Sequence, residues 1–458
     1  MNSIDIIIVA IWLVITFLAG FLPGFLTDFE GFWLNNKKTK TAFLVFTIVA
    51  TQVGGGTIIG IASSTYKDGL GFGIVALAST FVGFILIGLF APLIKNLSNK
   101  INAYTLSEII GYYYGRSAQR ICGIIILLAY FSLLAGQIVA ATTLINVWSG
   151  VSFETALWFS GTSMIIYCAY AGLKGDIVSD TFHFWGKVVF YFLIFLPILL
   201  YKENIGQLLS HLSFNMVSPL RFGGYSYLIA GTLFGAIIPL VSMELWMRIF
   251  ASENSQDAKK AYIISAFTII PFYVFPMLLG LMSLTTLPEI DNSDKVLMLN
   301  FLKYLPNGVL GLGIASLFSV TIGAANTLVV VLSATFYKDI LRRGDEKNGK
   351  KELQYSRIIT LFIGIVGIAF ALALPNIVQL IINAFFGISI IFPPLFYGFV
   401  SKKKLNSYSG IISLSLGFIL IVIFIPILHN QAFVPGLLGS IFGLIIGNLI
   451  NKKVIKNV

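Results

Sequence analysis

Thirteen apolar stretches, each long enough to cross a bilayer, constrain this chain before any motif is read. They lie at 3–25, 41–63, 70–94, 119–147, 153–172, 181–201, 226–250, 259–283, 307–337, 355–374, 377–400, 407–428 and 432–451. A hydrocarbon core about 30 Å thick takes roughly 20 residues of helix. In that medium every backbone N–H and C=O must be satisfied internally, so only helices or closed barrels span it. Runs of this length specify helices, and the fold class read from the sequence is an all-α polytopic membrane protein with about thirteen transmembrane helices. Only 11% of the residues are charged, against about 25% in soluble domains, and no soluble domain of appreciable size fits between the spans. The amino terminus, Met1 to Asp5, lacks a basic segment before its first apolar run and reads as a retained span.

The net charge of +11 is arranged by side. Lys37, Lys38 and Lys40 follow span one, and Lys95, Lys100, Arg116 and Arg120 follow span three. Lys174 follows span five, and Arg248, Lys259 and Lys260 follow span seven. Lys338 to Lys351 follow span nine, Lys402 to Lys404 follow span eleven, and Lys452, Lys453 and Lys456 end the chain. The intervening loops are poor in lysine and arginine. The bias places the amino terminus outside and the carboxyl terminus in the cytoplasm, in the cell (inner) membrane. The excess charge is therefore topological and gives no weight to nucleic acid. Cys122 and Cys168 lie within apolar segments and read as packing residues. His183, His211 and His429 are too scattered for a zinc site. The acidic outside loop Leu287 to Asp294 reads as a solvated connection.

Two spans carry interruptions. Span two contains "ATQVGGGTIIG" (Ala50 to Gly60), and three consecutive glycines each cost a helix about 1 kcal/mol relative to alanine. Five spans later and in the opposite direction, span seven contains Gly231, Gly235 and Pro239. Membrane helices tolerate broken backbone only where it is buried in protein or lines a cavity. Transporters use matched breaks in inverted repeats to hold solute and ion at mid-membrane. The expected organisation is a peripheral segment 1–40, a first repeat over 41–201, a second over 202–400, and peripheral spans in 401–458. Gln52, Gly54, Gly55, Gly56 and Thr57, with Gly231, Thr232 and Gly235, are the expected substrate-binding residues.

Five motifs in order carry a family resemblance. Besides "ATQVGGGTIIG", they are "YTLSEIIGYYYGRSAQR" (Tyr104 to Arg120), "YCAYAGLKGDIVSDT" (Tyr167 to Thr181), "WMRIFASENSQDAKKA" (Trp246 to Ala261) and "LPNGVLGLGIASLFSVTIGAANTLVVVLSATFYKDI" (Leu305 to Ile340). The chain resembles the sodium:solute symporters over nearly its whole length, with a triple-glycine first core helix like that of choline-transporter relatives. The resemblance implies a LeuT-type 5+5 inverted repeat with broken helices at 41–63 and 226–250. It further implies cation-coupled symport of a small polar organic solute by alternating access, no enzymatic activity, no obligate protein partner, and no cofactor beyond bound Na+. The family's sodium ligands map onto the carbonyls of Ala50, Val53 and Val320 and onto two hydroxyl positions, which here are Gly323 and Ala324. Neither has a side-chain oxygen, whereas a hard cation wants several oxygen ligands. Thr321 points about 200° away from Gly323 on a helix, while Thr327 lies one turn on and shares its face. That departure keeps a proton-coupled transporter or an uncoupled facilitator open as alternatives.

The ionisable groups have two readings each. Asp180 matches the family's aspartate on the ion exit path, and also stands where an N-cap for span six belongs. Glu244 is placed for an i, i+4 pair with Arg248, or as a carboxylate on a proton path. Asp176 and Lys174 read as a solvated pair. Trp246 reads as an interfacial tryptophan or a gate aromatic.

Overall fold

The computed structural model describes residues 3–25, 27–204, 206, 214–287, 289–341, 349–373, 384–401, 403–428 and 431–456. Among them the chain is helical, and the sole β-type contact is an isolated bridge between Thr39 and Ser252. In order the helices are α1 (Ser3–Phe25), α2 (Phe29–Leu34), α3 (Thr41–Gln52), α4 (Gly55–Asp68), α5 (Gly71–Ile101), α6 (Leu106–Tyr114), α7 (Arg116–Ser149) and α8 (Phe153–Lys187). There follow α9 (Leu196–Lys202), α10 (Phe214–Val217), α11 (Gly224–Val241), α12 (Met243–Ala251), α13 (Ser255–Thr268), α14 (Ile270–Thr286) and α15 (Val296–Tyr304). The last are α16 (Val309–Thr335), α17 (Gly349–Ala373), α18 (Phe392–Ser401), α19 (Ser407–Leu428) and α20 (Phe433–Lys456).

Among the described residues eleven helices are long and apolar enough to cross a membrane, and the bent pair α3 and α4 makes twelve. The difference from thirteen lies at Phe153–Lys202, which counts as one run. Gly172, at φ 54° and ψ −170°, interrupts α8, a conformation open to glycine and strained for other residues. The Tyr167 hydroxyl donates to Ser179 Oγ at 2.7 Å. Twelve residues of straight helix would separate these positions by about 18 Å. The chain therefore doubles back at Gly172, and the segment after it starts eight residues earlier than the apolar pattern indicates. The expected division at Pro375-Asn376 lies outside the described residues.

With lipid no less apolar than leucine, close packing and small residues hold membrane helices together. The most enclosed helix is α16: 94% of the apolar window in Val309–Ile340 is buried. It packs against α1, α3, α7, α8 and α17. The helix α5 packs against α11 and α13, and α19 pairs with α20. At one end of this core, Thr105 and Glu108 form a capping box at the start of α6. Arg116 there donates to the carbonyls of Lys338 and Asp339 at 3.3 and 3.1 Å, covering the end of the long α16 run.

Candidate functional site

The break in span two falls between Gln52 and Gly55, where α3 and α4 meet at 49°. Each helix end leaves backbone groups without intrahelical partners. Gly54 has φ −77°, so the glycine run is not demanded by a left-handed backbone. Close approach demands it. A Cβ on Gly55 would lie 2.1 Å from Thr321 Cγ2, and one on Gly54 would lie 3.0 Å from Ala324 Cβ and 3.2 Å from Gln137 Nε2. The triple glycine lets the break press onto α16.

Side chains of α7 and α8 meet the exposed backbone, and side chains of α3, α14 and α5 link up beside it. Gln137 of α7 accepts from Gly56 N at 3.3 Å. Gln52 reaches the Tyr273 hydroxyl at 3.5 Å, and Tyr273 contacts Thr80 Oγ1 at 3.2 Å. Lys187, fully buried, donates from Nζ to the carbonyls of Ala50 at 3.0 Å and Val53 at 3.1 Å. These carbonyls sit at the C-terminal, negative end of the α3 dipole, where a cation is favoured.

Beside the break lies a buried ionic network. Arg248 Nη2 donates to Asp176 Oδ2 at 2.5 Å, Thr327 Oγ1 at 2.8 Å, Thr51 Oγ1 at 3.1 Å and Asp180 Oδ2 at 3.5 Å. Asp176 also accepts from Asn326 and Thr327, each at 2.7 Å. Asp180 accepts from Thr47 Oγ1 at 2.5 Å, and Thr47 in turn accepts from Arg248 Nε at 3.2 Å. Asp176, Asp180, His183 and Lys187 recur at i, i+4, i+7 and i+11, one stripe of a helix. All four are at least 99% buried. His183 Nδ1 lies 3.8 Å from Asp180 Oδ1. A Cβ on Gly323 would lie 2.5 Å from His183 Nδ1 and 3.1 Å from Asp180 Oδ1.

The break in span seven falls at Ser242, whose ψ of 111° separates α11 from α12. The Tyr130 hydroxyl accepts from Met243 N at 2.6 Å and donates to Glu244 Oε2. The phenol thereby caps the start of α12, with a carboxylate in its first turn as the helix dipole favours. Trp246 Nε1 donates to Leu240 O at 3.0 Å, covering a carbonyl that the break releases.

The profile of the Sodium:solute symporter family matches residues 32–417. The chain belongs to the sodium:solute symporter family. It is 23% identical to the sodium/pantothenate symporter of Haemophilus influenzae over 450 residues, covering 94% of this chain and 91% of that one. It is also 23% identical to the sodium/pantothenate symporter of Escherichia coli over 446 residues, covering 93% and 92%. Among solved structures it is similar to a Na+-coupled sialic acid symporter in a substrate-bound outward-open state. That match has a TM-score of 0.84 and 16% identity, covering 98% of this chain and 97% of the other. The fold is thus that of a transporter, and the family is one of symporters, not enzymes.

Within this symporter fold the sequence-derived residues sort unevenly. Gln52, Gly54, Gly55, Gly56 and Thr57 are brought together at the first break. Gly231 and Gly235 are not: both lie inside α11, where added Cβ atoms would meet Val75 at 3.0 Å and Ser79 at 2.5 Å of α5. They are helix-crossing positions, Thr232 lies between them on the same helix, and the break comes seven residues after Gly235. Asp180 is not an N-cap, because α8 runs through it. Asp176 pairs with Arg248 rather than Lys174. Arg248 is taken by the two aspartates, so the i, i+4 pair with Glu244 gives way to the Tyr130 contact. Trp246 is fully buried and stacked on Phe399, not interfacial.

The expected sodium ligands fare worse as ligands. Ala50 and Val53 present their carbonyls to Lys187, Thr327 bonds to Asp176, Gly323 adjoins His183, and Ala324 adjoins Gly54. The side chain of Val320 lies outside the described residues, as do His211 and His429. The residues present do not fit a sodium ion in the family's manner. Sequence reasoning missed His183, Lys187, Gln137, Tyr130 and Tyr273. His183 and Lys187 left a signal, ionisable residues within an apolar span. The other three are polar or aromatic residues without a distinctive local pattern.

Proposed function

We propose that the chain is a secondary active transporter that moves a small polar organic solute by alternating access, driven by a cation gradient. The observation that supports this most is the broken α3–α4 pair. It presents the Gly56 N–H to Gln137 and the carbonyls of Ala50 and Val53 to Lys187, beside a linked cluster of Gln52, Tyr273 and Thr80. Convergent donors and acceptors around an irregular backbone suit a solute with hydroxyl, amide or carboxylate groups. Gln52 and Thr57, both half-buried, are the side chains best placed to contact it, with Gly54, Gly55 and Gly56 giving close backbone access. In this reading 41–201 and 202–400 are the two inverted repeats, and α12 with its break at Ser242 is the counterpart of α4. Asp180 and Glu244 lie beside the two breaks and are assigned to ion coupling. The protein sits in the cell membrane with its amino terminus outside and its carboxyl terminus cytoplasmic.

The test is uptake by proteoliposomes of radiolabelled pantothenate and sialic acid, the solutes named for its relatives, alongside amino acids and quaternary amines. Accumulation of one of them above equilibrium under an imposed cation gradient is the expected result. Equilibration without accumulation under every gradient would replace the proposal with a facilitator.

A further inference from the structure

Lys187 stands where a coupling cation would be held. Its Nζ lies 3.0 and 3.1 Å from the carbonyls of Ala50 and Val53, two of the three main-chain ligands the family resemblance assigns to sodium. We propose that the Lys187 ammonium is a built-in substitute for that ion, so that the charge sodium would bring to the break is held covalently and the site takes no sodium. The proposal rests on the transport reading above.

Three features converge on it. The lysine ties α8 to the last turn of α3 through the carbonyls of Ala50 and Val53, where a bound cation would tie α3 to α16. On the opposite side, the hydroxyl positions are Gly323 and Ala324. The room a side chain would take at Gly323 holds the His183 imidazole, 2.5 Å from a hypothetical Cβ, and Ala324 Cβ would lie 3.0 Å from a Cβ on Gly54. The two helices are therefore complementary here: α16 offers no side-chain oxygen at these positions, and α8 offers polar groups. Third, Asp180 Oδ1 and both ring nitrogens of His183 have no hydrogen-bond partner among the described residues. They lie on the stripe that ends at Lys187 and border Gly323.

Direct ion binding and backbone exchange test this without a known solute. Purified protein in lipid nanodiscs is titrated with 22Na+. In parallel, hydrogen exchange of residues 41–68 is followed in sodium and in choline at one pH. The wild type is expected to show no saturable 22Na+ binding and no difference between sodium and choline. Lys187→Gln, which loses the charged tie to the carbonyls of Ala50 and Val53, should exchange faster near residues 50–57, and Lys187→Arg, which keeps the charge, should stay closer to the wild type. Saturable 22Na+ binding by the wild type, or unchanged exchange in Lys187→Gln, overturns the proposal. The wild-type sodium measurement decides it even if the variants fail to fold. Absence of uptake for every solute, with the ion results as expected, would instead refute the transport reading.

Discussion

Replacing Gly55 with alanine isolates the reason for the glycine run. The new methyl would sit 2.1 Å from Thr321 Cγ2 and 3.3 Å from Thr321 Cβ. Ordinary carbon contacts need about 3.5 Å or more, so α4 and α16 must separate by over 1 Å or Thr321 must leave its rotamer. Overpacking of this kind costs about 1–3 kcal/mol. Helix propensity pulls the other way by up to about 1 kcal/mol, so a net loss of roughly 1–2 kcal/mol is expected. Thr321→Ser deletes the offending methyl and keeps the hydroxyl that donates to Phe318 O at 2.9 Å. In a double-mutant cycle by thermal unfolding in detergent, Gly55→Ala should lower the melting temperature. Thr321→Ser alone should do little, and the pair should return most of the loss, a coupling of about 1 kcal/mol or more. Uptake should follow the same pattern. An unchanged melting temperature for Gly55→Ala, or no recovery in the pair, would show that the triple glycine is not there for close approach.

Three further substitutions test other parts of the structure. Gly172→Ala meets both a positive φ and a Cβ position 2.5 Å from Phe32 Cδ2. It should destabilise by about 1–3 kcal/mol in the same melting assay, and a neutral result would mean that the turn-back at Gly172 is wrong. Tyr130→Phe removes the acceptor for Met243 N and the donor to Glu244. It should cost about 1–3 kcal/mol, whereas Glu244→Gln, which retains an acceptor oxygen, should cost less; the reverse order would refute the capping role. Asp294, outside the spans, has its carboxyl raised by burial against a smaller opposing effect from its hydrogen bond with Ser63. A carboxyl raised on folding binds more protons folded than unfolded, so its contribution to stability falls as pH rises through the two values. Asp294→Asn should therefore raise the melting temperature at pH 7, with the gain vanishing below about pH 4, and a gain independent of pH would contradict the burial effect.

Span positions were legible because the bilayer imposes a length and an apolar character that few other features mimic. The first break was legible from Gly54, Gly55 and Gly56, although the physical need turned out to be contact with Thr321 and Ala324 rather than unusual torsion. The second was located only to its span. Gly231 and Gly235 are equally compatible with helix crossing, and the actual break at Ser242 rests on Tyr130 and Trp246, contacts from elsewhere in the chain and from beyond the break. The ionic site was hidden by one boundary. With the turn set at 173–180, Asp176 and Asp180 look like loop acids. With the turn at Gly172 they join His183 and Lys187 on a single helical stripe, and that periodicity is visible in "DIVSDTFHFWGK" once the boundary is moved.

Charge balance in that stripe bears on which ion the site accepts. Asp176 and Asp180 are two buried negative charges, and Arg248 supplies one positive charge. A fourth charge is needed, because an uncompensated buried ion costs several kcal/mol. A bound sodium ion would meet the need in a chain lacking the lysine; here Lys187 meets it covalently, and the set is neutral without any ion from solution. A sodium ion placed on the carbonyls of Ala50 and Val53 would then be roughly 3 Å from the ammonium. At an effective dielectric constant of about 20, that repulsion is about 5 kcal/mol, more than a thousandfold in affinity at about 1.4 kcal/mol per decade. Two missing hydroxyls alone would weaken sodium binding, and a neighbouring lysine would oppose it outright. The absence of side-chain oxygens at Gly323 and Ala324 and the presence of Lys187 therefore act in the same direction. Either alone would leave the site defective, with a lysine competing against sodium or a sodium cradle lacking its walls.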